Sequence, residues 1–216
     1  LWNIKRKSII NNMNFPSKRL MLVQIFVIFV LPIILLYFKI IPSNWRIILL
    51  LVSSLFIYGI IRHEKWTHEE MGVRNDNFKK AFPFYLFFTV LSLITLFIIS
   101  KLVHMPQEVF TKMFYFKTVI LFLPSSFFQE FAFRSFLMPR LKHIFQSSFT
   151  IILINAVLFT FMHVIYSSLG ILIPILFISG IFFAWLYFKY PNLILVSIAH
   201  SFLNVTAVLL GFFVIR

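Results

Sequence analysis

Apolar residues run along this chain in long blocks, separated by short polar segments. A helix that crosses a membrane needs about 20 mostly apolar residues, within a range of about 17–25. Seven stretches are candidates: 20–38, 45–61, 81–100, 118–138, 149–166, 171–188 and 193–215. The second is short for a span. Pro32, Pro83, Pro124 and Pro174 fall inside these stretches or at their starts. Membrane helices tolerate such prolines, because neighbouring helices and hydroxyl side chains satisfy the freed backbone groups. The first run is too long for a cleavable signal peptide and continues into a polytopic pattern. The expected fold class is all-α, a polytopic transmembrane helical bundle of about seven spans.

One polar segment stands apart. Residues 62–80 read RHEKWTHEEMGVRNDNFKK and carry Glu64, Glu69, Glu70 and Asp76. They divide the chain into a leading basic segment with two spans (1–61), a polar linker (62–80) and a membrane core (81–216) whose last four spans are expected to hold the chemistry. No polar stretch is long enough to build a soluble domain of its own.

Composition sharpens this picture. Of the 216 residues, 61% are apolar and 12% charged, against about 45–50% and about 25% in soluble domains. A soluble fold would lack the polar residues to cover its outside. There is no cysteine, so thiol catalysis, disulfides and thiolate metal sites are excluded.

Charge then sets orientation. Lys and Arg number 20 against 6 acidic residues, a net charge of +14, which in a soluble protein would suggest nucleic acid. Here the placement explains it. With the N-terminus inside, the cytoplasmic segments hold 13 basic residues, among them Lys5, Arg6, Lys7, Lys18 and Arg19, and the opposite side holds 6, among them Lys39, Arg46 and Arg216. This positive-inside bias predicts a cytoplasmic N-terminus in a cell membrane. The basic N-terminal segment would touch anionic lipid, and no nucleic-acid partner is expected.

Four ionisable residues fall inside spans: Glu130, Arg134, His163 and His200. The remaining acidic residues and histidines, including His104 and Glu108, lie in loops or at span ends. Each costs roughly 2.5–3.5 kcal/mol at membrane depth on insertion scales, and such groups usually face the bundle interior and one another. Glu130 and Arg134 are four residues apart, as are Phe159 and His163, and His200 and Asn204. Residues at that spacing share a helix face. Three helices can therefore offer Gln129, Glu130 and Arg134, then His163, then His200 and Asn204, to one polar pocket. Such groups also serve simply as interhelical glue.

At these residues the sequence resembles the CAAX-protease and bacteriocin-processing family, the Abi or CPBP intramembrane proteases. The family pattern places Glu-Glu-x-x-x-Arg, Phe-x-x-x-His and His-x-x-x-Asn on successive helices. This chain reads Gln129-Glu130-Phe-Ala-Phe-Arg134, then Phe159-Thr-Phe-Met-His163, then His200-Ser-Phe-Leu-Asn204. Glu69-Glu70-Met71-Gly72-Val73 also looks like the segment that precedes the family's core. The resemblance implies a membrane-embedded endopeptidase of glutamate type, with no cofactor, acting on a short peptide or a membrane protein. It implies His163 as a water-positioning group, His200 and Asn204 as oxyanion donors, and Glu130 and Arg134 as a supporting pair. A bacterial source follows from the family's breadth.

The departure from the pattern is Gln129, where the family has its first Glu. An amide cannot take a proton from water. Either Glu130 acts as base, or His163 does with Gln129 orienting the water. Against Glu130, adjacent helix residues point about 100° apart, and pairing with Arg134 would weaken it as a base; burial pushes the other way, so the sequence leaves both bases open. A silent relative acting in peptide or bacteriocin immunity, and a proton or ion path through the buried charges, are the alternatives. Glu130, His163 and His200 are also plausible metal ligands, although the chain has no His-Glu-x-x-His run.

Depth adds a constraint. Measured from the ends of their stretches at 1.5 Å per residue, Glu130 lies roughly 12 Å deep, His200 roughly 10 Å and His163 roughly 21 Å. A shared pocket therefore requires the fifth helix to start late or shift along its axis.

Overall fold

The computed structural model describes residues 13–103, 112–166 and 169–212. Lys5, Arg6, Lys7, His104, Glu108, Arg216 and the end of the 193–215 stretch lie outside the described residues. Among those described there is no strand, and each of the seven apolar stretches forms a helix. They are α1 (Lys18–Tyr37), α2 (Arg46–His63), α3 (Phe78–Leu102), α4 (Lys112–Glu130, continued by Phe131–Leu137 and Met138–Ile144), α5 (Ser148–Phe161), α6 (Leu169–Lys189) and α7 (Leu193–Leu209). In α1, α2, α3 and α6 the helix is long and apolar enough to cross a membrane.

Side-chain caps set where three helices start. Ser17 accepts from the Leu20 amide, Ser147 from Thr150 and Asn192 from Leu195, each meeting a backbone donor that the first turn leaves unpaired. Outward faces are apolar: Leu55 and Phe87 are each 70% exposed, as lipid-facing side chains are. Inside, α7 packs against α3 and α4, and α5 against α6. Gly180 makes the last contact possible, since a Cβ there would stand 3.2 Å from the Ala156 Cα. Small residues let membrane helices approach in this way.

Two helices differ from the sequence expectation, and together they remove the depth mismatch. α4 runs on past Met138 to Ile144, while α5 ends at Phe161 and the chain turns over 162–166. Glu130 then lies fourteen residues before the end of α4 at Ile144, and His163 fifteen residues after the start of α5 at Ser148, so the two counts agree. α5 does not shift along its axis. His163 is consequently in a turn beyond the helix, not on it.

The linker is a built part of the fold. Met71 O accepts from Ser135 Oγ of α4 and, at 3.3 Å, from Tyr187 Oη of α6. Gly72 O accepts from the Leu193 amide at 2.8 Å. Asn192 Nδ2 donates to Arg74 O and to Asn77 Oδ1, and Asn77 Nδ2 donates to Pro191 O. Thr67 and Glu70 bond reciprocally to one another's backbone amides, the arrangement of a capping box. At the end of α4, Arg140 is fully buried. Its Nη2 donates to both Glu64 oxygens at 2.7 and 2.8 Å, its Nε donates to Gln24 Oε1 at 3.1 Å, and its guanidinium lies 3.6 Å from the Phe136 ring centroid. Ser135 and Leu193 thus mark one level, set by adjacent linker carbonyls, and Glu130 and His200 lie five and seven residues beyond it.

Candidate active site

The antiparallel pair α4 and α7 meets through two polar contacts at matching four-residue spacing. Ser126 Oγ accepts from Asn204 Nδ2 at 3.0 Å. One turn on, Glu130 Oε1 lies 2.8 Å from His200 Nδ1. A carboxylate accepts, so Nδ1 carries the proton in this contact; the tautomer is assigned from the partner.

The second Glu130 oxygen accepts from Arg134 Nε at 2.7 Å. Arg134 Nη1 donates to Asn155 Oδ1, and Asn155 Nδ2 donates to Phe133 O at 3.1 Å. Glu130, Arg134 and Asn155 are fully buried. Phe159 and Phe183 flank the guanidinium, with ring centroids 5.8 and 5.9 Å from Cζ. Where water is excluded, such aromatic faces help stabilise a cation. Among the described residues, Arg134 Nη2 is a buried atom with no hydrogen-bond partner. The helix widens to π geometry over Phe131–Leu137, directly after Glu130; π turns inside α-helices are frequent at functional sites.

Asn155 was not singled out in the sequence reading. The signal is the spacing by four of Asn155, Phe159 and His163; the face of α5 that carries Phe159 also carries the Arg134 partner Asn155.

His163 takes a different position. Its Nδ1 lies 2.8 Å from Phe159 O. A carbonyl only accepts, so Nδ1 carries the proton and, in the neutral ring, Nε2 is the basic nitrogen. His163 and Gln129 line one cavity of about 130 Å³, together with Ser53, Ser125, Arg46 and Tyr166. That is room for several waters. Gln129 Oε1 is buried with no hydrogen-bond partner among the described residues. His200 and Asn204 line a second cavity, of about 170 Å³ and mostly apolar, between α3, α6 and α7.

The ring of Phe159 touches both histidines, with centroids 5.0 Å from His163 and 5.6 Å from His200. The structure therefore joins Glu130, Arg134, His200 and, one turn away, Asn204. It sets Gln129 and His163 together in the wall of the first cavity. The adjacent residues Gln129 and Glu130 face these two different neighbourhoods. Among the described residues, no three of His, Asp or Glu gather as a metal ion would require.

Residues 110–206 match the family model described as type II CAAX prenyl endopeptidase Rce1-like. Over that stretch the chain is similar to the CAAX-protease family. The Rce1-like segment contains all three motifs, from before Gln129 to beyond Asn204, as the motif resemblance implied; α1, α2, α3 and the linker lie outside it. The protein is an integral membrane protein, with four helices long and apolar enough to cross a membrane and a segment similar to a family of endopeptidases. No curated protein and no solved structure matches the chain.

Proposed function

We propose that this protein hydrolyses a peptide bond of a membrane-associated or short peptide, with His163 as the base that activates water and Gln129 as the group that orients it. The carrying observation is the split between Gln129 and Glu130. Gln129 shares a water-sized cavity with His163, whereas both oxygens of Glu130 are occupied by Arg134 and His200. A carboxylate so paired is a poor base, so Glu130 holds the site and His163 performs the proton transfer. The developing oxyanion would meet the His200–Asn204 side, and donors placed there are a large catalytic term in acyl transfer. The apolar cavity beside His200 and Asn204 suits a hydrocarbon chain or apolar side chain of the substrate, in keeping with the prenyl substrates named in the family's description.

On this reading the protein sits in a bacterial cell membrane with its N-terminus and linker cytoplasmic, following the distribution of Lys and Arg. Its partners are a peptide or membrane-protein substrate and membrane lipid, not nucleic acid. A second reading, a silent relative that binds peptides in immunity, is favoured by one feature only: the amide at Gln129.

The deciding experiment incubates purified wild type, Gln129→Glu and His163→Ala with C-terminal peptides, prenylated and unprenylated, and reads products by mass spectrometry. Cleavage by wild type that His163→Ala abolishes is the expected result. If neither wild type nor Gln129→Glu cleaves any peptide, the silent reading stands.

A further inference from the structure

The cavity of Gln129 and His163 runs away from the linker. α1 begins at the linker end, where Asn14 O accepts from the Trp66 indole and Gln24 accepts from Arg140. α2 ends there, beside Glu64. Leu36 and Arg46 are therefore at the far ends of these two helices. The cavity wall climbs α1 from Ile28 to Leu36 and α2 from Ser53 to Arg46, and no residue of the linker lines it. Because its wall reaches that end and no linker residue lines it, its mouth is assigned to the end of the bundle opposite the linker.

Arg46 stands at that mouth. Its Cζ lies 5.6 Å from the Tyr166 ring centroid, and the Tyr166 ring is stacked 5.8 Å from His163. Among the described residues no carboxylate pairs with this guanidinium. Arginine stays charged at any physiological pH and matches carboxylate geometry with a fork of donors. The rest of the wall near Arg46 is apolar: Pro32, Ile33, Leu36, Ile47 and Leu50. The two ring contacts hold the guanidinium within about 12 Å of the imidazole, a distance covered by three or four extended residues.

Resting on the peptidase reading, we propose that substrate reaches His163 through this far-end mouth and that Arg46 binds a carboxylate of that substrate. The carboxylate is either a free C-terminus or an acidic side chain a few residues from the scissile bond. By the distribution of basic residues, this mouth faces the extracytoplasmic side.

The absence of cysteine makes a direct test available. Ser53→Cys and Ser125→Cys report on the cavity wall, and His68→Cys on the exposed linker. Each full-length variant, in intact cells and in inverted vesicles, is treated with an impermeant anionic methanethiosulfonate (sulfonatoethyl) or a cationic one (trimethylammonium-ethyl), with rates normalised to a free thiol. Ser53→Cys should react from the face opposite to His68→Cys. It should favour the anionic reagent by about fivefold or more, as a cleft of one charge sign concentrates counter-ions. Arg46→Gln should abolish the preference and Arg46→Lys keep it.

An acetylated five-residue Ala/Leu peptide is then added as free acid, as amide, and as amide with one Asp. Slower labelling by the free acid identifies a C-terminal carboxylate, and slower labelling by the Asp peptide a side chain. Labelling of Ser53→Cys from the His68 side, no response to Arg46→Gln, or equal protection by all three peptides overturns the proposal. None of these readouts requires hydrolysis. Intact labelling results with no His163-dependent cleavage would sink the peptidase reading alone.

Discussion

Glu130 Oε1 lies 2.8 Å from Nδ1 of His200, a residue seventy positions later in the chain. The same carboxylate holds Arg134 through its other oxygen at 2.7 Å. One buried anion therefore ties α4 to α7 and neutralises the guanidinium that reaches α5 through Asn155. Three helices are fixed by one side chain whose negative charge has no other role to spare.

Removing that anion should be costly. Glu130→Ala leaves Arg134 fully buried and uncompensated, and breaking a buried pair from one side costs about 3–5 kcal/mol. The double variant Glu130→Ala/Arg134→Met should recover part of the loss, because no unpaired charge remains. Thermal unfolding of the three proteins in one detergent checks this order. A double variant less stable than Glu130→Ala would contradict it.

The chemistry should respond in the opposite sense at the neighbouring position. Gln129→Glu places a carboxylate in the His163 cavity and should raise the cleavage rate by about tenfold or more, within the range that positioned acid–base groups supply. His163→Ala should abolish cleavage and lower the unfolding temperature less than Glu130→Ala does, since it leaves no buried charge unpaired. Steady-state rates and melting curves on the same preparations separate the two effects.

Gly72 should tolerate no side chain. Its φ is +81°, a conformation that glycine adopts freely and other residues rarely do. A Cβ there would also collide with the Tyr187 hydroxyl, and Gly72 O receives the Leu193 amide. Gly72→Ala should therefore loosen the linker from the α6–α7 turn. Faster proteolysis between Arg62 and Lys80 than in wild type is the expected signature, with unchanged cleavage kinetics of that segment the contrary one.

Glu64 should give stability a pH dependence. Burial holds its carboxyl above the ordinary value of 4.5, outweighing the attraction of Arg140. The folded state thus binds this proton more tightly than the unfolded state. The group's contribution is complete below 4.5 and is lost as pH rises through the raised folded value. Glu64→Gln should flatten the stability profile on that rising-pH side, measured by chemical unfolding at intervals between pH 4 and pH 7. An identical slope in both proteins would count against the burial effect.

The sequence by itself determined the membrane class, seven helices and four ionisable residues within the apolar stretches, though not the burial of Arg140 against Glu64. Long apolar blocks admit no soluble alternative, and an ionisable side chain in lipid announces itself by its cost. It also determined that Gln129 and Glu130 diverge, because adjacent residues on a helix point about 100° apart. Tertiary structure alone decided which of the two meets His163. It decided that α5 stops at Phe161, so that His163 sits in a turn, and that Asn155, marked in the sequence only by its four-residue spacing to Phe159, holds Arg134. It decided too that the polar linker is fastened to α4 and to the α6–α7 turn. Helical periodicity fixes which residues share a face, but the partner of that face depends on helix length, register and contacts between segments far apart in the chain.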